Sequence, residues 1–252
     1  MTPPKIISVV RDFDTYERCI RKNPNVENCD LVPVDNRTAN EPVGIRYNRI
    51  LDSLDSSQSC WLVFCHEDFE PQEPLVKVLA GLAPAAIYGP IGAITVRRFG
   101  IYYQWRLIGS IEESSKSGQG AGFVGTDAGL GTHADTLDCQ CLIVHSSLIE
   151  KHHLRFDENL SFDLYAEDFC IMAKERHGIH SAIVPFKCHH WSKGSVQAHY
   201  FTQLKYLNGK WPDVAYTGTA TQLIGGGGSA LWRTEVAVKR LVQRLLRQMA
   251  KR

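Results

Sequence analysis

Cys60-Trp61-Leu62-Val63-Phe64-Cys65 is apolar at every position and runs directly into His66-Glu67-Asp68. A run with no polar face predicts a strand buried on both sides, the kind found inside a parallel sheet covered by helices. The abrupt switch to a His-acid-acid triplet puts ionisable groups at the strand's carboxyl end. That is the edge where open α/β sheets bind ligands.

Working outward, residues 5–10, 29–34 and 85–91 also read as strands. Residues 15–22, 41–54 and 73–82 read as helices, the second with Val43, Ile45, Ile50, Leu51 and Leu54 broadly on one side. This β-α-β-α-β order predicts an α/β fold with a mostly parallel central sheet and helices on both faces. Three polar segments then end strands in one crevice: Arg11-Asp12, Asp35-Asn36 and His66-Glu67-Asp68. Residues 109–132 are rich in Gly and Ser, and are expected to form a mobile loop or insertion at the mouth of the site. No Gly-Lys-Ser/Thr follows these glycines, which excludes a Walker-type phosphate loop. Further strands are expected at 139–144, preceded by Asp138, and at 180–186, followed by Cys188-His189-His190. Helices are expected at 146–153, at 169–176 with Glu167-Asp168 at its entry, and at 195–207.

The 252 residues carry a net charge of +1, which gives no electrostatic case for nucleic acid. Eight cysteines are scattered without paired CxxC motifs, which suits a reducing compartment and argues against a structural zinc. Residues 1–4 lead into a short apolar run unlike a signal peptide, and no apolar stretch reaches the length of a membrane span. A cytoplasmic protein is expected, peripheral on the inner face of the membrane if its tail docks there. Residues 1–224 form the expected catalytic domain and 225–229 (Gly-Gly-Gly-Gly-Ser) a flexible linker. Residues 230–252 are expected to form a basic amphipathic helix. Such a helix can lie on an anionic membrane, or dock on its own domain or on a second subunit.

The charged segments have specific chemical uses and bland alternatives. A carboxylate at a strand end can hold a divalent cation that neutralises a departing diphosphate, or it can cap the next helix. Glu167 or Asp168 can take a proton from an attacking hydroxyl, or simply answer a helix dipole. His189 and His190 offer imidazoles to the same cation, or form a surface or core pair.

In this order the motifs resemble the family-two-like GT-A glycosyltransferases, and within them the branch related to StrF-type proteins of streptomycin biosynthesis. They comprise an Asp after the second strand, an acidic triplet after the third, an Asp before a later strand, a Glu-Asp pair and a final His. The resemblance spans roughly residues 5–205. It implies a nucleotide-diphosphate sugar donor, a saccharide or lipid-linked acceptor and a divalent metal, Mn2+ or Mg2+. It places Asp35 on the nucleotide base with Asn36 beside it, and Arg11, Glu67 and Asp138 around the donor. Asp68, His66 and His190 become metal ligands, and Asp168 the catalytic base with Glu167 as neighbour or alternate. His66 replaces the family's first motif acid, and the Gly-rich stretch has no counterpart. Two other classes stay open. One is an inactive nucleotide-binding or membrane-surface protein of the same fold. The other is a metal hydrolase built on His66, Asp68, His189 and His190.

Overall fold

A computed structural model describes residues 2–55, 57–98, 102–192, 198–220 and 223–227, with scattered positions between 230 and 249. The chain opens with β1 (Lys5–Val10), α1 (Phe13–Tyr16), a π-helical turn (Glu17–Arg21) and β2 (Asp30–Asp35). Next come α2 (Val43–Asp52), β3 (Trp61–Cys65), β4 (Phe69–Pro71), α3 (Leu75–Ala80) and β5 (Ile87–Gly89). A long antiparallel pair follows, β6 (Ile91–Arg98) and β7 (Tyr102–Glu113), then β8 (Gly122–Thr126), β9 (His133–Ala134) and β10 (Thr136–Leu137). The remainder holds β11 (Cys141–His145), α4 (Ser146–His152), α5 (Tyr165–His177), β12 (Ser181–Ile183), β13 (Cys188–His190) and α6 (Ala198–Lys210).

The α/β architecture forms as expected. The main sheet has the order β2-β1-β3-β11-β5-β12-β9. Strands β2, β1, β3, β5 and β12 run one way, and β11 and β9 run against them. The founding strand is buried on both faces. Leu62 and Phe64 join one core with α2, α4, α5 and α6, while Val63 and Cys65 join the other with α1 and α3. This alternation follows from the two-residue repeat of a strand. Helix α5 is buried almost all round along its first nine residues, from Tyr165 to Ala173, so it lacks the one-sided pattern of a surface helix. All eight cysteines are free thiols.

One expectation fails. Residues 109–132 are not one mobile loop: β7 and β8 pair across them, and a second sheet forms with the order β10-β6-β7-β13-β4. Here glycine serves close backbone packing. Gly109 (φ 76) and Gly125 (φ 98) adopt left-handed angles, and a Cβ on Gly125 would collide with the Gly109 carbonyl. Of the linker expected at 225–229, residues 228–229 lie outside the described residues, and 225–227 are bonded to the domain. Gly226 N–H donates to the Trp211 carbonyl (2.7 Å) and Gly227 N–H to that of Val214 (2.8 Å). A Cβ on Gly226 would lie 2.6 Å from the Pro212 oxygen, so this run is glycine because backbone lies against it. The helix expected at 195–207 runs instead over Ala198–Lys210, and residues 195–197 lie outside the described residues.

Candidate metal and carboxylate site

Strand register assembles the site. The chain leaves β3 into His66, and β4 begins at Phe69. Strand β13 pairs antiparallel with β4, His190 opposite Phe69, and Trp191 N–H donates to the Asp68 carbonyl (3.0 Å). That register sets His190 beside Asp68. On its other side β13 runs parallel to β7 with His190 opposite Glu113. Strand β11 is antiparallel to β3, so the turn that precedes it reaches the same edge. His66 N–H donates to the Gln140 carbonyl there (3.1 Å), two residues beyond Asp138.

Side-chain atoms of His66, Asp68 and His190 lie within 4.8 Å of one another, the one such trio among the described residues. The Asp68 carboxylate is 3.2 Å from His190 Nε2 and 4.0 Å from His66 Nδ1. Two imidazole nitrogens and a carboxylate oxygen are a donor set suited to a transition-metal dication. The ring of His190 turns Nε2 toward Asp68 and Nδ1 toward Glu113, 3.7 Å away. Burial pushes the Asp68 carboxyl up, but its hydrogen bond and charge pairing with His190, then the charge of His66, hold it well below the usual range. Burial pushes His190 down, but Asp68 and Glu113 outweigh it and raise the imidazole to about 9. Burial keeps His66 lowered. The Tyr165 hydroxyl sits 3.2 Å from His66 Nε2, and Phe162, about half exposed, stacks on the His66 ring at 5.2 Å.

A second group of acids adjoins the trio. Asp138 acts electrostatically on His66, His190 and Glu167. Its carboxylate accepts from Thr219 Oγ1 and from Gln140 N–H (3.0 Å). Glu167 is 4% exposed, its Oε2 has no hydrogen-bond partner, and Gly218 leaves the space it occupies. Burial, then the charge of Asp138, raise its carboxyl to about 8.

Asp168, one residue on, faces elsewhere. Its oxygens accept from Lys210 Nζ (2.7 Å) and Trp211 Nε1 (2.7 Å), and Lys210 also binds Asp157 (2.6 Å). Successive helix positions diverge by about 100°, and Asp168 is turned onto Lys210 and Trp211 while Glu167 is not. Asn36 is buried, its amide spent on Glu41 N–H and carbonyl and on Arg46 Nε, which closes the turn after β2. Glu67 accepts from the backbone N–H groups of Arg11 (2.5 Å) and Asp12 (3.0 Å), clamping the end of β1. Burial raises the Glu67 carboxyl. Asp35 is exposed in a fork with Arg37, whose hydrogen bonds lower it to about 2. The Arg11 guanidinium binds Asn40.

The sequence-expected residues His66, Asp68, His190, Asp138 and Glu167 thus converge, Arg11 and Asp35 lie on exposed turns, and Asn36, Glu67 and Asp168 are engaged internally. His189 bonds Ser114 (2.7 Å) and stacks on Trp191, away from the trio. Sequence reading missed Glu113, bound by Gln140 Nε2 (2.7 Å) and 3.7 Å from His190 Nδ1. It also missed Tyr165 and the 217–219 segment. Glu113 ends a strand whose partners are distant in sequence, so no local pattern marks it.

No known family's sequence model matches the chain, and no curated protein matches it. Among solved structures the chain is similar to residues 1–349 of S. aureus TarS, in complex with UDP-GlcNAc. The TM-score is 0.45 at 10% identity, over 79% of this chain and 60% of that one. It is also similar to GalNAc-T7 with UDP, GalNAc and Mn2+, with TM-score 0.49 at 10% identity over 84% and 48%. A third is A197 from STIV, with TM-score 0.39 at 12% identity over 91% and 96%. The chain therefore spans only about half to three-fifths of the TarS and GalNAc-T7 chains. Identities this low do not extend to activity, substrate or partners.

Proposed function

We propose that this chain is a divalent-metal-dependent glycosyltransferase of the GT-A type. It would move a sugar, with inversion, from a nucleotide-diphosphate donor to a hydroxyl of a saccharide or lipid-linked acceptor. One observation carries the reading: a His-Asp-His trio within 4.8 Å and a buried carboxyl with an unpartnered oxygen both feel the charge of Asp138. The two groups divide the chemistry of glycosyl transfer, which needs leaving-group neutralisation and a base.

His66, Asp68 and His190 would hold the ion. When bound, it supplies charge neutralisation to the departing nucleoside diphosphate. The nitrogen-rich donor set favours Mn2+ over Mg2+, which prefers oxygen. Glu167 is the base: its Oε2 takes the acceptor proton as the acceptor oxygen bonds to the anomeric carbon. A carboxyl poised near 8 is matched to proton transfer close to neutral pH. Asp138 would accept hydrogen bonds from donor-sugar hydroxyls. Asp35 and Arg11, on exposed turns, are assigned to the nucleotide. Asp168, the base implied by the sequence resemblance, is reassigned to anchoring Lys210 and Trp211.

The test is calorimetric binding of UDP, GDP, dTDP and CDP, each with Mn2+ and with chelator. Tight binding of one of them that chelator abolishes supports the reading and identifies the donor class. A folded sample that binds none refutes it and leaves a metal hydrolase built on the same trio.

A further inference from the structure

We infer that residues 230–252 form a docking surface for an anionic lipid bilayer. The inference does not depend on the transfer reading. The described positions between 230 and 249 are helical. Along them Val238 (54%), Leu241 (57%), Val242 (48%), Leu245 (50%) and Met249 (72%) remain exposed. Five large apolar side chains at spacings of three and four share one helix face, and that face lies open to solvent. Docking on the parent domain, one of the sequence alternatives, would have buried them.

Charge identifies what covers the face. Seven basic residues, Arg233 to Arg252, stand against the single acid Glu235 in a chain whose overall charge is only +1. In sequence the basic residues recur at 233, 240, 244, 247 and 251, out of phase with the apolar positions 241, 245 and 249. An apolar stripe backed by a cationic one is the pattern of a helix lying in the headgroup plane of an anionic membrane. Apolar side chains enter the acyl boundary while the cations meet phosphate. Among the described residues no helix is long and apolar enough to cross a membrane.

Just before the tail in sequence, Gly225–Gly227 are bonded back onto Asn208, Trp211 and Val214. Trp211 holds Asp168, while Gly218 and Thr219 of the same segment abut Glu167 and Asp138. Docking of the helix would hold that segment, and the site it closes, at the bilayer surface.

The experiment is co-sedimentation of the full chain with vesicles of phosphatidylcholine alone, or mixed with about one-third phosphatidylglycerol. The expected result is binding to the anionic vesicles and not to neutral ones, weakening steeply with salt. L241E/L245E should abolish it. K239Q/R240Q/R244Q/R247Q should weaken it on the order of a hundredfold or more, since each basic residue contributes about fivefold near such a surface. Circular dichroism and light scattering accompany both variants, whose altered side chains lie on the tail alone. Failure to bind anionic vesicles would overturn the inference. So would binding unaffected by either variant, or a dimer that L241E/L245E dissociates, which would make a second copy the occupant. Nucleotide binding is read separately, so loss of one property is distinguishable from loss of the other.

Discussion

Glu167→Gln should stabilise the metal-free protein at alkaline pH while removing transfer. The Glu167 carboxyl is raised from 4.5 to about 8, chiefly by burial. The folded state thus holds this proton more tightly than the unfolded chain does. That contribution to stability is complete below about pH 4.5 and is lost as pH rises to about 8. At about 1.4 kcal/mol per pH unit, the interval corresponds to on the order of 4 kcal/mol, an upper bound. Glutamine keeps the shape and carries no proton to lose, so it should grow more stable relative to wild type across this window. The assay is urea unfolding of both proteins with chelator present, at several pH values from 5 to 9, since a bound cation would favour the ionised carboxylate. The difference between the two curves should widen by roughly 2–4 kcal/mol. Parallel stability profiles would refute the burial of an uncompensated carboxyl at this position. Wild-type transfer by the variant would refute its role as the base.

Three further outcomes follow from the geometry. Asp168→Asn should lower unfolding free energy by about 2–4 kcal/mol, because it breaks a buried pair with Lys210, while nucleotide binding per folded molecule stays unchanged in calorimetry. Asp68→Ala or His190→Ala should weaken Mn2+ binding at least tenfold. In the wild type, affinity should rise about tenfold per pH unit toward about 9, because the His190 proton must leave before the ring can ligate; calorimetry in buffers of different ionisation enthalpy reads that proton. Gly226→Ala should cost about 1–3 kcal/mol in urea unfolding, since its Cβ would stand 2.6 Å from the Pro212 oxygen; a free linker would tolerate the change.

Local patterns were legible where they were repeated and apolar. Residues 60–65 showed both their strand and its burial on two faces, because an apolar run with no polar face cannot lie on a surface. The β-α order of the first half, and the ionisable groups at the ends of β1, β2 and β3, followed from the same reading. Residues 109–132 were illegible because glycine marks a free loop and a crowded backbone alike. Only the carbonyls of Pro90 and Gly109, against which Gly109 and Gly125 pack, distinguish the two.

Sequence alone thus determined which residue types were available for chemistry and which segments were buried, since both depend on neighbours along the chain. Tertiary structure decided which of them meet. His190 reaches Asp68, and Glu113 reaches His190, only through the register of β13 between β4 and β7, pairings that span more than seventy residues. The choice between Glu167 and Asp168 was also tertiary. Adjacent on the helix, they point about 100° apart, and only the placement of Lys210 and Trp211 neutralises one and leaves the other facing Asp138.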